Sequence, residues 1–291
     1  MSRGWHRVLN WRYYHRPVFV IGTGRSGTTV LLEALGAHPK LLAAWGEAPL
    51  LSDIGRMAHR YTADDHEGAY VRRATHLSER SYLAILRRLA FESCFGADGG
   101  LWMRFRAGAE RAVKYRCSPL RPRLVTHWCA KTEPDRTGFE GLLSLYPGAR
   151  FLWIVRNGLA VVNSRQRFHG FREMDFAKQC ETWAASIDTY GYVRDSERAL
   201  ELRHEQLVED PEALFRQILD FLDIRPHPGP TRFAQSTLIH PLDQKTQVRT
   251  DVRKALKERE AGWEHWGADE KETFRRICGQ AMETMGYPIR F

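Results

Sequence analysis

Short, unbroken apolar runs alternate along this chain with stretches whose apolar residues recur at helical spacing. Pro17-Val-Phe-Val-Ile-Gly22 is a run of the first kind, as expected of a strand buried on both faces. A glycine turn follows. Thr28 to Leu35 then places Leu31, Leu32 and Leu35 on one helical face and stops near Gly36 and Pro39. The same grammar returns further on. Leu124 to Cys129 reads as a strand, and Phe139 to Leu145 as a helix ending before Pro147-Gly148. Phe151 to Val155 is a strongly apolar strand, followed by a helix from Gly158 to Phe168. Leu200 to Arg203 is a further short strand. Asp210-Pro211-Glu212 announces a helix: a capping Asp, a Pro in the first turn and an acid at the positive helix end. Its apolar positions, Leu214, Ile218, Phe221 and Leu222, keep helical spacing, and a last helix runs from Asp269 to Met285. Strands alternating with helices imply an α/β fold with a parallel sheet and right-handed crossovers. No internal repeat or Gly/Ser/Pro-rich linker divides the chain, so residues 1–291 read as one domain. An N-terminal arm covers about residues 1–16. A helical, basic and aromatic insertion covers about residues 56–123 and carries Tyr61, Tyr70, Tyr82, Phe91, Trp102 and Phe105.

Charge sharpens this outline. On open parallel sheets, ligands bind beyond the carboxyl ends of the strands. Arg25 follows the first strand, Lys131 a central one and Arg156 the Phe151 strand, so three cations should meet at one edge. That is an anion site, and it says more than the net charge of +9 does. Nothing resembles an RNA-recognition motif, a zinc finger or a basic zipper, so no specific nucleic-acid partner is expected. There is no run of about 18 apolar residues and no apolar signal-peptide core. The basic, aromatic arm reads first as a packed or frayed segment and second as a peripheral membrane contact. The five cysteines, Cys94, Cys117, Cys129, Cys180 and Cys278, form no CxxC pair. They read as core thiols of a cytoplasmic protein, with no structural or catalytic metal expected.

The turn after the first strand is Gly22-Thr-Gly-Arg-Ser-Gly-Thr28-Thr29. Glycines let backbone N–H groups curl round an oxyanion at a helix N-terminus, where the dipole favours negative charge. The alternative is a tight turn with no ligand. Gly22, Gly27 and Thr29 fit the GxxxxGK[ST] loop of nucleoside triphosphatases, but Thr28 stands where that loop needs its lysine. Downstream, Arg156-Asn157-Gly158 ends a strand, with Ser164 eight residues after the Arg. An Arg fork and a hydroxyl both donate to phosphate. Taken alone, the pair is equally an Arg–carboxylate contact and an exposed helix Ser.

Arg25-Ser26-Gly27-Thr28-Thr29 resembles the 5′-phosphosulfate loop of sulfotransferases that use 3′-phosphoadenosine 5′-phosphosulfate (PAPS), and is closer to the bacterial and tyrosylprotein-type branch than to the cytosolic one. Arg156 and Ser164 match that family's 3′-phosphate motif. Ala130-Lys131-Thr132-Glu133-Pro134 resembles its Lys-Thr-Pro, with Glu133 inserted. Arg203-His204-Glu205-Gln206-Leu207, followed by Asp210-Pro211, resembles its Tyr-Glu-x-Leu stretch. The resemblance implies a P-loop-like parallel sheet with a helical acceptor-binding cap. It also implies sulfuryl transfer from PAPS to a hydroxyl or amine, releasing 3′-phosphoadenosine 5′-phosphate (PAP), with no metal required. Arg25, Ser26, Gly27, Thr28 and Thr29 would hold the 5′-phosphate, Arg156 and Ser164 the 3′-phosphate, and Arg253 or Lys254 would close over the nucleotide. Glu47 aligns with the branch's catalytic Glu and would be the general base, with Arg25 and Lys131 as charge stabilisers. Read locally, Glu47 is a solvated loop acid. His38 and His127 are rival bases, although His38 before Pro39 looks like a turn residue. The acceptor, whether small molecule, sugar, lipid or peptide, is not written in these motifs. Two other classes stay open: a P-loop kinase or NTPase with an aberrant loop, and a non-catalytic polyanion binder.

Overall fold

The computed structural model describes residues 14–95, 125–171, 173–236 and 262–291. Five strands form one wholly parallel sheet: β1 (Pro17–Ile21), β2 (Leu41–Glu47), β3 (His127–Lys131), β4 (Arg150–Val155) and β5 (Ala199–Arg203). Their spatial order is β2-β3-β1-β4-β5. β1 therefore lies at the centre and the chain changes direction across it, the place where α/β sheets bind ligands.

Helices cover both faces. The sequence enters the sheet as unbroken apolar runs because alternate residues of each strand feed separate cores. Phe19, Ile21, Trp128, Phe151 and Trp153 point to one. Val18, Val20, Cys129, Leu152 and Ile154 point to the other. The second face is covered by α1 (Thr28–Gly36), α9 (Pro211–Phe221) and α10 (Pro228–Ser236). The first face carries α2 (Leu50–Thr62), α4 (Glu79–Phe95), α5 (Arg136–Leu145), α6 (Gly158–Gln166), α7 (Phe176–Arg194) and α11 (Ala268–Thr284). The short helices α3 (His66–Thr75) and α8 (His204–Glu209) complete the set among the described residues.

Most predicted elements are present, and four differences matter. The strand expected from Leu124 is His127–Lys131; pairing with β1 from Pro17↔Trp128 to Val20↔Lys131 carries it to Lys131. β2 and α7 are unpredicted. β2 escapes the pattern because it is an edge strand whose register shifts between Ala43 and Glu47, with Gly46 at φ 70°. α7 is capped by the Asp175 side chain and buries Cys180, Trp183, Ile187, Tyr190 and Val193. Position 56, where the insertion was expected to begin, lies inside α2.

α2 and α5 meet backbone to backbone. A Cβ on Gly141 would fall 1.8 Å from the Gly55 carbonyl oxygen, and one on Gly55 would fall 2.3 Å from the Gly138 carbonyl oxygen. Among the described residues no helix is long and apolar enough to cross a membrane. Cys129, Cys180 and Cys278 are buried free thiols and Cys94 is partly buried. Arg253, Lys254, most of the arm and residues 96–123 of the expected cap lie outside the described residues.

Candidate active site at the carboxyl edge of the sheet

The loop between β1 and α1 is shaped by its glycines. Gly22 is at φ 152°, and a Cβ there would lie 2.4 Å from the Ile154 carbonyl oxygen. Gly27, at φ 94°, serves as the N-cap of α1 without a side-chain cap, so the first turn keeps its N–H groups for a ligand. A Cβ on Gly27 would fall 2.4 Å from Nδ1 of His204, which lies buried beneath the loop. Arg25 itself takes φ 78°, uncommon for a residue with a side chain.

Strand ends bring the predicted cations together. Arg25 Nε donates to Ser164 Oγ at 3.1 Å, and Arg156 Nη1 donates to the Arg25 carbonyl at 3.2 Å. The two motifs read separately in the sequence are thus one hydrogen-bonded unit. The Arg25 guanidinium also stands 4.4 Å from the centre of the Phe168 ring. Arg156 is held at the end of β4 by its neighbours: Trp183 Nε1 donates to its carbonyl, and Asn157 caps α6. The Asn157 amide donates to Glu205, which Tyr287 also binds, so the Glu of the His204-Glu205 stretch fixes this turn.

On the other side of β1, Lys131 Nζ donates to Glu47 Oε1 at 2.8 Å and to Thr29 Oγ1 at 3.3 Å. Glu47 is therefore not a loop acid: it ends β2, in register with Lys131. The lysine is nearly buried while the carboxylate keeps 74% of its side-chain surface. The carboxylate is accessible to an incoming group, and its position is set by a strand and an ion pair. Glu133 lies nearby. It reaches solvent but is walled in by protein; this enclosure, and next the charge of Glu47, raise its pKa.

The loop hydroxyls divide. Thr29 is exposed. Thr28 is buried, with its methyl 3.2 Å from where a Gly22 Cβ would stand, so position 28 offers no cation to a triphosphate. Ser26 is fully buried, and its Oγ has no hydrogen-bond partner among the described residues. An orphaned buried hydroxyl among free helix amides and converging guanidinium and ammonium groups fits a phosphorylated ligand. No cluster of His, Cys, Asp and Glu suited to a metal occurs among the described residues.

Both rival bases lie elsewhere. His127 begins β3 at the sheet's amino edge. It is buried, its pKa pulled down to about 4 by burial and then by Arg16, Arg150 and Lys40. His38 follows α1 at that same edge; its Nδ1 accepts from the Lys40 amide and its Nε2 meets the Arg225 carbonyl. Sequence reasoning missed Arg165 and the burial of His204. Both are polar residues buried by elements far apart in the chain, and nothing local in the sequence marks them.

The family model described as the sulfotransferase family matches residues 17–229. The chain belongs to the sulfotransferase family. It is 29% identical to protein-tyrosine sulfotransferase A of Caenorhabditis elegans over 71% of this chain and 50% of that protein. It is 25% identical to the protein-tyrosine sulfotransferase of Drosophila melanogaster over 75% of this chain and 40% of that protein. The chain thus spans half or less of the length of these curated relatives. Among solved structures, the sulfotransferase domain of the Synechococcus PCC 7002 olefin synthase aligns with a TM-score of 0.58 at 21% identity. That alignment covers 94% of this chain and 96% of that one. The sulfotransferase domain of the curacin biosynthetic pathway aligns at 0.54 and 17%, covering 94% and 98%. These likenesses establish the fold: a parallel, P-loop-like sheet flanked by helices.

Proposed function

We propose that this sulfotransferase moves a sulfuryl group from PAPS to a hydroxyl, or an amine, of an acceptor and releases PAP. The observation that carries the reading is the joined cradle: Arg25, Ser164 and Arg156 linked on one side of β1, and Thr29, Lys131 and Glu47 linked on the other. One side suits a nucleotide with phosphates at two positions. The other presents a carboxylate and an ammonium where an acceptor would approach.

The chemistry follows from these groups. Glu47 takes the acceptor's proton as the acceptor oxygen bonds to sulfur. The bond from sulfur to the leaving phosphate oxygen breaks, and the negative charge building there is met by Arg25, Lys131 and the loop amides. Ser26 and Thr29 orient the phosphate, and buried Thr28 shapes the loop around it. Arg156 and Ser164 select the nucleotide through its second phosphate. No step needs a metal if these cations suffice.

Acceptors enter between Glu47 and the helices that follow it. Leu50, Met57, Tyr70, Leu77, Ile85 and Leu89 are the large apolar side chains left exposed among the described residues, and all lie between positions 50 and 89. Such a surface supports residues from α2 onward as the acceptor-facing cap. A hydroxyl-bearing acceptor agrees with relatives named protein-tyrosine sulfotransferases.

Calorimetric titration of PAP, ADP and ATP without magnesium, on wild type and Arg156→Ala, tests the proposal. Tight one-to-one PAP binding, weak ADP and ATP binding, and loss of PAP binding in the variant are expected. Absence of a PAP preference would overturn the reading in favour of a kinase or a polyanion binder.

A further inference from the structure

Beside Ser164 on α6 lies Arg165, which grips the glycine loop from its inner side. It is 1% exposed. Its Nη2 donates to Thr23 Oγ1 and, at 3.4 Å, to the Gly24 carbonyl; its Nη1 donates to the Gln179 carbonyl at 2.7 Å. Its guanidinium stands 5.2 Å from the centre of the Phe171 ring. That ring also packs on the loop, 3.0 Å from where a Cβ on Gly24 would be. One side chain therefore joins the loop, α6, the start of α7 and the turn at Phe171.

Every hydrogen-bond acceptor named is neutral. Among the described residues no carboxylate pairs with Arg165, and its Nε has no hydrogen-bond partner. Glu133 is the carboxylate whose charge it feels, at a remove, with the thiols of Cys180 and Cys278 on the helices behind and the opposing charge of Arg25 on the loop. Burial pulls the guanidinium's pKa down to about 10. A buried charge without a counter-ion is costly, and a neutral amide could make bonds to Thr23 and Gly24 more cheaply. The protein partners account for the hydrogen bonds and leave the charge unexplained.

We propose that Arg165 is the buried counter-charge for an anion held on the outer side of the glycine loop. It is a positioning residue: it touches no ligand, holds Thr23 and Gly24 in the anion-binding form, and projects positive potential through them. An anion in the loop would face this guanidinium across one layer of backbone, in surroundings of low dielectric where charge interactions are strong. This inference rests on the loop being the cofactor's phosphate site.

The test compares Arg165→Lys, which keeps charge but loses the fork, with Arg165→Gln, which keeps an amide but loses charge. PAP and inorganic pyrophosphate are titrated at two salt concentrations, and the melting temperature of each ligand-free protein is measured. The glutamine variant is expected to bind both ligands about 10- to 100-fold more weakly, the usual size of coupling between sites. Its salt dependence should flatten, and its ligand-free melting temperature should be no lower than that of the lysine variant. The lysine variant should stay within about fivefold of wild type, since the coupling resides in the charge. Equal losses in both variants, in step with falling melting temperatures, would make Arg165 a scaffold only and overturn the proposal; so would wild-type binding by the glutamine variant. Should that variant not fold, Arg165→Lys measured from about pH 5 to 9 decides, because burial lowers a lysine's pKa and its charge is lost as pH rises through that range. Its affinity must then fall more steeply with pH than the wild type's, and parallel profiles overturn the idea. Wild type that binds pyrophosphate but not PAP removes the nucleotide reading alone and leaves the comparison of variants intact.

Discussion

The two edges of this sheet carry similar residues put to opposite uses. At the amino edge, His38 and His127 are buried among backbone and cations, and each ring is tied to groups next to it. At the carboxyl edge, Arg25 is tied to Arg156 and Lys131 to Glu47, and Glu47 still faces solvent. Strand direction makes the difference. In a wholly parallel sheet every carboxyl end lies on one side, so residues far apart in sequence gather there without designed contacts elsewhere. β3 shows this within five residues: His127 at one end is structural, and Lys131 at the other meets the candidate base.

The contrast can be broken by substitution. Glu47→Gln should leave PAP affinity intact and cut turnover by roughly 10²–10⁴-fold; near-normal turnover would return Glu47 to the solvated surface. Lys131→Ala is expected to lower turnover by about 10²–10³-fold, the usual cost of losing one preorganised donor. Full activity there would mean that Lys131 serves only its ion pair. At the other edge, His127→Gln should change stability and spare turnover. The folded pKa of His127 lies below its unfolded value. Stability from keeping the ring neutral is therefore complete above about pH 6.5 and is lost as pH falls toward 4. The shift corresponds to at most roughly 3 kcal/mol. The gap in melting temperature between pH 7 and pH 4.5 should accordingly narrow in the variant, and an unchanged gap would refute the assignment. The smallest effect is expected from His38→Ala, a loss of about 1 kcal/mol of stability from its hydrogen bonds with no change in turnover. A turnover defect in that variant would return His38 to the list of bases.

The sequence displayed the donor half of the site more fully than the acceptor half. β1, the loop, α1, β4 and the Asp210-Pro211 cap are local patterns: apolar runs, glycines, a capping acid with proline. Arg25, Arg156 and Ser164 follow such patterns directly, and the structure links them through Arg25. Glu47 was found only through resemblance. Its strand is a half-exposed edge with a shifted register, and no alternation announces it. Arg165 could not be read at all. Arginine is ordinarily exposed, and its burial here is assembled by Thr23, Gln179 and Phe171 from three separate stretches of chain.

The glycine contact between α2 and α5 has a consequence for changing the surface beside Glu47. With Gly55, Gly138 and Gly141 at van der Waals limits, α2 has no room to tilt or slide inward, and any added side chain there would lever it outward. Its first turn begins three residues after Glu47, so such a shift would move the wall next to that carboxylate. Retargeting by re-angling this helix is thus closed. Redesign has to work on the outward residues, Leu50 and Met57 foremost, treating α2 as a fixed rail on which different side chains can be mounted.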